Sequence, residues 1–305
     1  MSLCIHPEVE GAILDGRAVV ALESTVLTHG LPRGSGALEN RGVAMSLEAD
    51  VRAHGAVPAT IAVIDGTIHV GLSESGLSRL CEASDPKKLS ARDLGVAVAT
   101  AQTGGTTVAA TVTIAHQAGL RVFATGGIGG VHRGWGQSMD ISADLAALSR
   151  TPICCVSAGA KSLLDLDATL ELIESLGIAA VGHGTDWLPH FTAAGDASRP
   201  LGARIDLIPL LAAACRLHCG LCRSAFLVFQ DPPAEHALPS ELSDAWTSQA
   251  IAEARAAGAT GSRETPFVLR RIAERSGGRS VQANVALLRS NTRLAAQIAV
   301  ALSNP

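Results

Sequence analysis

The residue with most chemical promise is Lys161, in Pro152-Ile-Cys-Cys-Val-Ser-Ala-Gly-Ala-Lys161-Ser. An apolar strand runs into a turn of small residues carrying the Lys, and a helix is expected from Ser162. Sites in open parallel sheets form beyond the carboxyl ends of strands. Apolar walls there favour the neutral amine, which attacks a carbonyl or masked aldehyde. The chain holds 24 Lys and Arg together, yet its Lys are only Lys87, Lys88 and Lys161. Arg cannot replace Lys where an amine must lose its proton and attack carbon, which makes a surviving Lys a functional candidate. A surface Lys at a helix start, in a chain from a GC-rich genome, is the plain alternative.

Met139-Asp140-Ile-Ser-Ala-Asp144 follows. On a helix over 140–148, Asp140 and Asp144 share a face at i, i+4. Paired carboxylates hold a hard divalent cation or divide metal binding from acid–base work; an acidic first turn facing the helix dipole is the alternative. In Thr125-Gly-Gly-Ile-Gly-Gly-Val-His132-Arg133-Gly134, backbone N–H groups can approach an anion, with His132 and Arg133 suited to a phosphate. The spacing is neither a P-loop nor a dinucleotide fingerprint, and a tight turn explains it equally. Gly104-Gly105-Thr106-Thr107, opening a helix, is a second candidate anion site. Cys215-Arg-Leu-His-Cys219-Gly-Leu-Cys222 has iron–sulfur-like spacing, but i, i+4 and i+7 on an apolar helix read better as packed thiols on one buried face.

These residues need a scaffold. Strands are expected at 18–22, 121–124, 152–157 and 178–181, and a hairpin at 60–71 around Asp65-Gly66. Helices are expected at 38–54, 106–118, 140–148, 162–176, 245–257, 265–274 and 281–302, and a helix followed by a strand within 207–228. Strands alternating with helices imply crossover units. The expectation is an α/β fold, three-layer α/β/α, with a mostly parallel mixed central sheet and a helical C-terminal tail packed on it. No linker or repeat interrupts the chain, so residues 1–305 read as a single domain.

Composition narrows the function classes. The chain has 305 residues, 47% hydrophobic, 17% charged and 3% aromatic, with no Tyr and a net charge of −4. A mean hydropathy of +0.29 supports a large core built from Ala, Val, Leu and Ile. The charge and the shortage of aromatics argue against a nucleic-acid partner. No signal peptide or apolar run of membrane-spanning length is present. Seven Cys, two within one apolar strand, suit a reducing cytoplasm.

Together the motifs resemble the pseudouridine-5′-phosphate glycosidase family, which includes indigoidine-synthase-A-like proteins. The matching segments are Ala21-Leu-Glu-Ser-Thr-Val-Leu-Thr-His-Gly30, Gly55-Ala-Val-Pro-Ala-Thr-Ile-Ala, Lys88-Leu-Ser-Ala-Arg-Asp93 and Gly105-Thr-Thr-Val-Ala-Ala-Thr111. Thr125–His132, Asp140–Asp144, Ala158-Gly-Ala-Lys161-Ser162 and Gly277-Gly-Arg-Ser-Val-Gln-Ala-Asn284 complete the set. The segments run in family order over nearly the whole chain.

The resemblance implies reversible cleavage of the C–C glycosidic bond of pseudouridine 5′-phosphate to uracil and ribose 5-phosphate. It also implies a divalent metal, usually Mn2+, and a homotrimer. A C–C bond offers no glycosidic oxygen to protonate. The family opens the sugar ring and joins a Lys to C1′ as an imine, and the base leaves once its ring carbon is protonated. Carried over, Lys161 is the nucleophile, Glu23 the proton donor and Asp144 a proton shuttle. Asp140 is the metal ligand, with waters. Lys88 and His132 hold phosphate or ribose, and Ser142, Ala143 and Asp144 lie along the sugar. Thr107 and Val108 line the substrate site, and Asn284 reads the base edge.

Two segments depart from the family pattern. Gln230-Asp-Pro-Pro-Ala-Glu235 stands where the family has Asn-Pro-Ile-Pro-Glu, and Phe191-Thr-Ala-Ala-Gly-Asp196 replaces a Ser- and Arg-containing loop. They leave open a relative that joins ribose 5-phosphate to another aromatic acceptor.

Overall fold

The computed structural model describes residues 3–259 and 261–303, so the outermost residues of the expected 1–305 domain lie outside it. In chain order the elements are β1 (Cys4–Ile5), α1 (Pro7–Leu14), β2 (Val19–Leu22), α2 (Asn40–Ala53), β3 (Val57–Ile64), β4 (Thr67–Val70) and α3 (Glu74–Glu82). Then come β5 (Lys87–Leu89), α4 (Leu94–Ala99), β6 (Gly104–Thr106), α5 (Val108–Gln117), β7 (Val122–Ala124), α6 (Trp135–Ser138), α7 (Ala143–Leu148), β8 (Cys154–Ser157) and α8 (Leu166–Ser175). The last are β9 (Ala179–Gly182), α9 (Ile208–Cys222), β10 (Phe226–Phe229), α10 (Ser240–Ala256), α11 (Glu264–Arg275) and α12 (Arg279–Ser303).

One sheet runs β1-β4-β3-β2-β7-β8-β10-β9, with β6 also on β3 and β5 on β6. Every pairing is parallel except β3 with β4 and with β6, so the sheet is mixed but mostly parallel, as the alternation of elements requires. Asp65 and Gly66 both take positive φ, 46° and 76°, the two-residue turn whose twist fits a hairpin.

Strand side chains alternate between two cores. Val19, Ala21, Phe123, Cys155, Leu227 and Phe229 pack with α1, α5, α7 and α8. Val20, Leu22, Val122, Ala124, Cys154, Val156, Phe226 and Val228 pack with α2, α9 and α12. Helices therefore cover both faces, giving the three layers expected. The C-terminal helices are more than a tail: α12 is central to the second helical layer, and Val285, Leu287, Leu288, Leu294, Ile298 and Leu302 belong to its core.

The helix expected from 245 begins earlier, at Ser240, and three expected starts near the cavity move later, each where a polar side chain caps a later turn. The helix expected from Asp140 begins at Ala143, with Ser142 accepting a bond from the Asp144 N–H. Asp140 and Asp144 therefore do not share a helical face. The helix expected from Ser162 begins at Leu166, where Asp165 accepts from Ala168 N–H; Lys161 sits in an irregular segment and not at a helix N-terminus. The helix expected from Thr106 begins at Val108 under the Thr107 cap, because Gly104–Thr106 is spent as a strand. No helix among the described residues is long and apolar enough to cross a membrane.

Candidate active site

The carboxyl ends of β2, β7 and β8 lie side by side, and each delivers part of one cavity of about 270 Å3. Glu23 follows β2 directly, the glycine-rich loop follows β7, and Ala158–Lys161 follows β8. The cavity is lined by Lys161, Glu23, Asp144, Lys88, Thr107, Val108, His132, Ser142, Ala143, Asn284 and Asp140. Every residue that the family resemblance assigned to the site thus faces one space.

Lys161 is placed by its backbone: its N–H donates to Ile128 O at 3.1 Å, tying the segment after β8 to the glycine loop. Gly159 before it has φ 76°, and a Cβ there would meet Pro189 O at 2.0 Å, so only glycine permits this approach. Glu23 is 9% exposed and accepts a hydrogen bond from the Thr125 hydroxyl. Burial pushes its carboxyl pKa up, the Asp144 charge adds to this, and Lys161 and Thr125 only partly offset it. Glu23 is therefore a carboxyl that keeps its proton to higher pH than usual, beside an amine.

Asp144 is held as an acceptor. Its two oxygens take the N–H groups of Ala109, at the start of α5, and of Gly129, both at 2.9 Å. A Cβ at Gly129 would lie 2.6 Å from the Asp144 carboxylate and 2.2 Å from Ser142 Oγ; that glycine exists for the close approach. Part of the loop spends its N–H groups within the protein: Ile128 to Gly159 O, Val131 to Thr169 and His132 to Asp140 O. Gly129 thus holds a carboxylate, while Gly126 and Gly127 line the cavity itself. Arg133 turns away, donating to the carbonyls of Ser162 and Leu164, so it does not serve a phosphate in the cavity.

Lys88 comes from β5. Burial and the neighbouring Lys161 charge lower its ammonium pKa, while Asp144 and Glu23 act the other way. Asn284, from α12, is 7% exposed, and its Oδ1 is buried with no hydrogen-bond partner. The residue lines the cavity.

His132, Asp140 and Glu264 bring one nitrogen and two carboxylate oxygens within 4.8 Å of one another, a group that could hold a metal ion. His132 Nδ1 lies 2.9 Å from Glu264 Oε2. Glu264 carried no sequence signal, because α11 lies far along the chain and in none of the matched motifs. His29, Ser90 and Arg92 also line the cavity; they fall inside matched motifs, where their side chains were not distinguished. His29 belongs to a π-helical turn, Val26–Gly30, a local distortion common at functional sites. Thr265, Pro266 and Leu269 of α11 form the roof.

The cysteines take no part in the cavity. Cys154 and Cys155 are fully buried. Cys215 is buried and Cys222 exposed, so the three cysteines of α9 do not share a buried face, and the only ligand group among the described residues is the His132 one. The two departing segments touch each other, Gly195 N–H donating to Asp231 at 2.9 Å. Only Phe191 among them lines the cavity.

Residues 8–301 match the profile of the indigoidine synthase A-like proteins. The chain belongs to this family. Family members named pseudouridine-5′-phosphate glycosidase include that of Herpetosiphon aurantiacus, 49% identical over 98% of each chain. That of Chloroflexus aurantiacus is 47% identical over 99% of each. A crystal structure of the prealnumycin C-glycosynthase in complex with ribulose 5-phosphate superposes with a TM-score of 0.89 at 35% identity, covering 99% of this chain and 97% of that one. An indigoidine synthase A-like protein of Thermotoga maritima gives the same TM-score at 31% identity and the same coverage.

Proposed function

We propose that this family member is an enzyme that reversibly cleaves pseudouridine 5′-phosphate to uracil and ribose 5-phosphate, with Lys161 as the covalent nucleophile. The observation that carries the reading is the convergence of Lys161, the proton-retaining Glu23 and the N–H-bound Asp144 on one cavity at the carboxyl edge of the sheet.

In the synthetic direction the Lys161 amine condenses with the open-chain aldehyde of ribose 5-phosphate, forming an imine and releasing water. The C5 of uracil adds to the imine carbon and loses its proton, and the sugar O4′ displaces the amine as the ring closes. Cleavage runs the same steps backwards: the amine opens the ring, C5 is protonated, and the imine is hydrolysed. Glu23 supplies the proton and Asp144 moves one along the sugar, while Ser142, Ala143, Thr107 and Val108 shape the channel around it. Lys88 takes the phosphate, with His132 beside the ribose. The His132, Asp140 and Glu264 donors fit a divalent cation, Mn2+ among them, which when bound would supply positive charge to substrate oxygens.

The second reading is a C-glycosynthase that joins ribose 5-phosphate to another aromatic acceptor, favoured by the similarity to the prealnumycin enzyme. Asn284 lines the cavity from α12, and its amide suits the polar edge of uracil. We propose a homotrimer in a reducing cytoplasm on the family resemblance and the free thiols.

The test is borohydride trapping with ribose 5-phosphate alongside uracil release from pseudouridine 5′-phosphate. The expected results are a stable adduct mapped to Lys161, and a fall of at least about 10^3-fold in turnover for Lys161→Ala with an unchanged circular dichroism spectrum. An adduct elsewhere, or activity retained by Lys161→Ala, overturns the mechanism. Turnover of another C-nucleoside 5′-phosphate without uracil release selects the second reading.

A further inference from the structure

We propose that Glu264 is a protein ligand of the divalent-cation site and that the cation fastens the first turn of α11, the roof of the cavity, to the loops beneath it. This rests on the divalent-cation reading given above and goes beyond a site built on Asp140 and water.

Three observations carry it. First, the donors come from two distant parts of the chain: His132 and Asp140 from the segment between β7 and α7, joined by the His132 N–H bond to Asp140 O, and Glu264 from the first residue of α11. An ion among them is a cross-link, not a guest of one loop. Second, the geometry is near that of a coordination sphere. Adjacent ligand atoms about 2.1 Å from a six-coordinate ion stand roughly 3 Å apart. His132 Nδ1 and Glu264 Oε2 pair directly at 2.9 Å, a contact that a bound ion would replace at nearly the same separation, and the whole set lies within 4.8 Å. His132 and Glu264 are both withdrawn from solvent, at 14% and 16% side-chain exposure.

Third, what Glu264 would fasten is what closes the cavity. Thr265, Pro266 and Leu269 follow it on the same helix and line the roof. Asp140 and His132 line the same cavity from the other side. The ion therefore sits where the roof meets the wall. One imidazole with two carboxylates also says which ion: the nitrogen donor favours Mn2+ or a later divalent metal over Mg2+ and Ca2+, which take oxygen ligands. Substrate enters more easily past an unfastened roof and is enclosed once the ion is bound.

The experiment reads metal binding and roof mobility, not turnover. Mn2+ is titrated into the metal-free full chain and followed by the electron paramagnetic resonance signal of free Mn2+, for the wild type, Glu264→Gln and Asp140→Asn. Hydrogen exchange of residues 264–275 is measured with and without Mn2+. The expected result is a dissociation constant at least about 10-fold weaker in Glu264→Gln. Mn2+ should slow exchange in α11 of the wild type and not of Glu264→Gln, while the metal-free variant keeps the wild-type melting temperature. Mn2+ binding by Glu264→Gln as tight as wild type, or no change of α11 exchange in the wild type, overturns the proposal. If Glu264→Gln is destabilised without metal, His132→Ala gives the same two readouts from the opposite wall. Uracil release is assayed separately. An enzyme that releases uracil while Glu264 leaves Mn2+ affinity untouched keeps the reaction and loses this site; Glu264-dependent binding in a protein that releases no uracil does the reverse.

Discussion

At the scale of single residues, the cavity works by setting one carboxyl against another. Glu23 is buried beside the Asp144 charge and resists ionisation, whereas Asp144 has both oxygens bound by backbone N–H groups. Dividing two carboxyls by environment is how acid and base roles are separated at neutral pH. Glu23 has a consequence for stability as well as catalysis. Its folded pKa lies above the unfolded value, so the folded protein binds the proton more tightly. The stability this contributes is complete below the unfolded value of 4.5 and is lost as pH rises through the folded one. Glu23→Gln removes the ionisable group: activity should fall at least about 10^2-fold, while the melting temperature at pH 8 should match or exceed that of the wild type, the difference shrinking towards pH 4.5. A variant less stable at every pH means that Glu23 is ionised and paired in the folded protein.

At the scale of elements, the sequence disclosed where strands and helices alternate and missed where helices begin. Apolar periodicity is a property of a whole helix and survives in one sequence. A start depends on which Ser, Thr or Asp turns its side chain back to the chain, and Ser142 and Asp165 looked like helix interior. That error misassigned the relation of Asp140 to Asp144, although both remained in the site. Glu264 was illegible for another reason: its role depends on α11 returning across the sheet end, a tertiary fact without local pattern. The departing residue Gln230 has a legible purpose only in three dimensions. It donates to Asn291 Oδ1 at 2.8 Å, Asn291 donates to Thr125 O at 2.8 Å, and the Thr125 hydroxyl reaches Glu23. Asn291→Ala should cost about 1–3 kcal/mol in denaturant unfolding and displace the pH limb of activity set by Glu23. Lost stability with an unaltered pH profile would reduce Asn291 to a structural bond.

At the scale of the whole molecule, the two large cores share β2, β7, β8 and β10, so neither helical layer has a sheet of its own. We therefore propose that residues 1–305 unfold as one unit. A single calorimetric transition is expected, and two transitions at separate temperatures would divide the chain. Light scattering, with three times the mass of one chain expected, tests the trimer. Fold class was the most legible property, because a chain rich in short β-branched runs between amphipathic helices has few ways to bury both. The candidate cation group was legible only in part: Asp140 was read as a metal ligand and His132 as a phosphate or ribose holder, whereas Glu264 joins them only in three dimensions.

The place of α12 carries a consequence in time. Its core residues seal a face made of strands and helices that all precede it in the chain, and it supplies Asn284 and Asn291 to the sheet ends. A ribosome emits this helix after everything it rests on. Until it emerges, the nascent polypeptide holds an uncovered apolar face and a pocket without Asn284, which makes that interval the one when chaperones have most to shield.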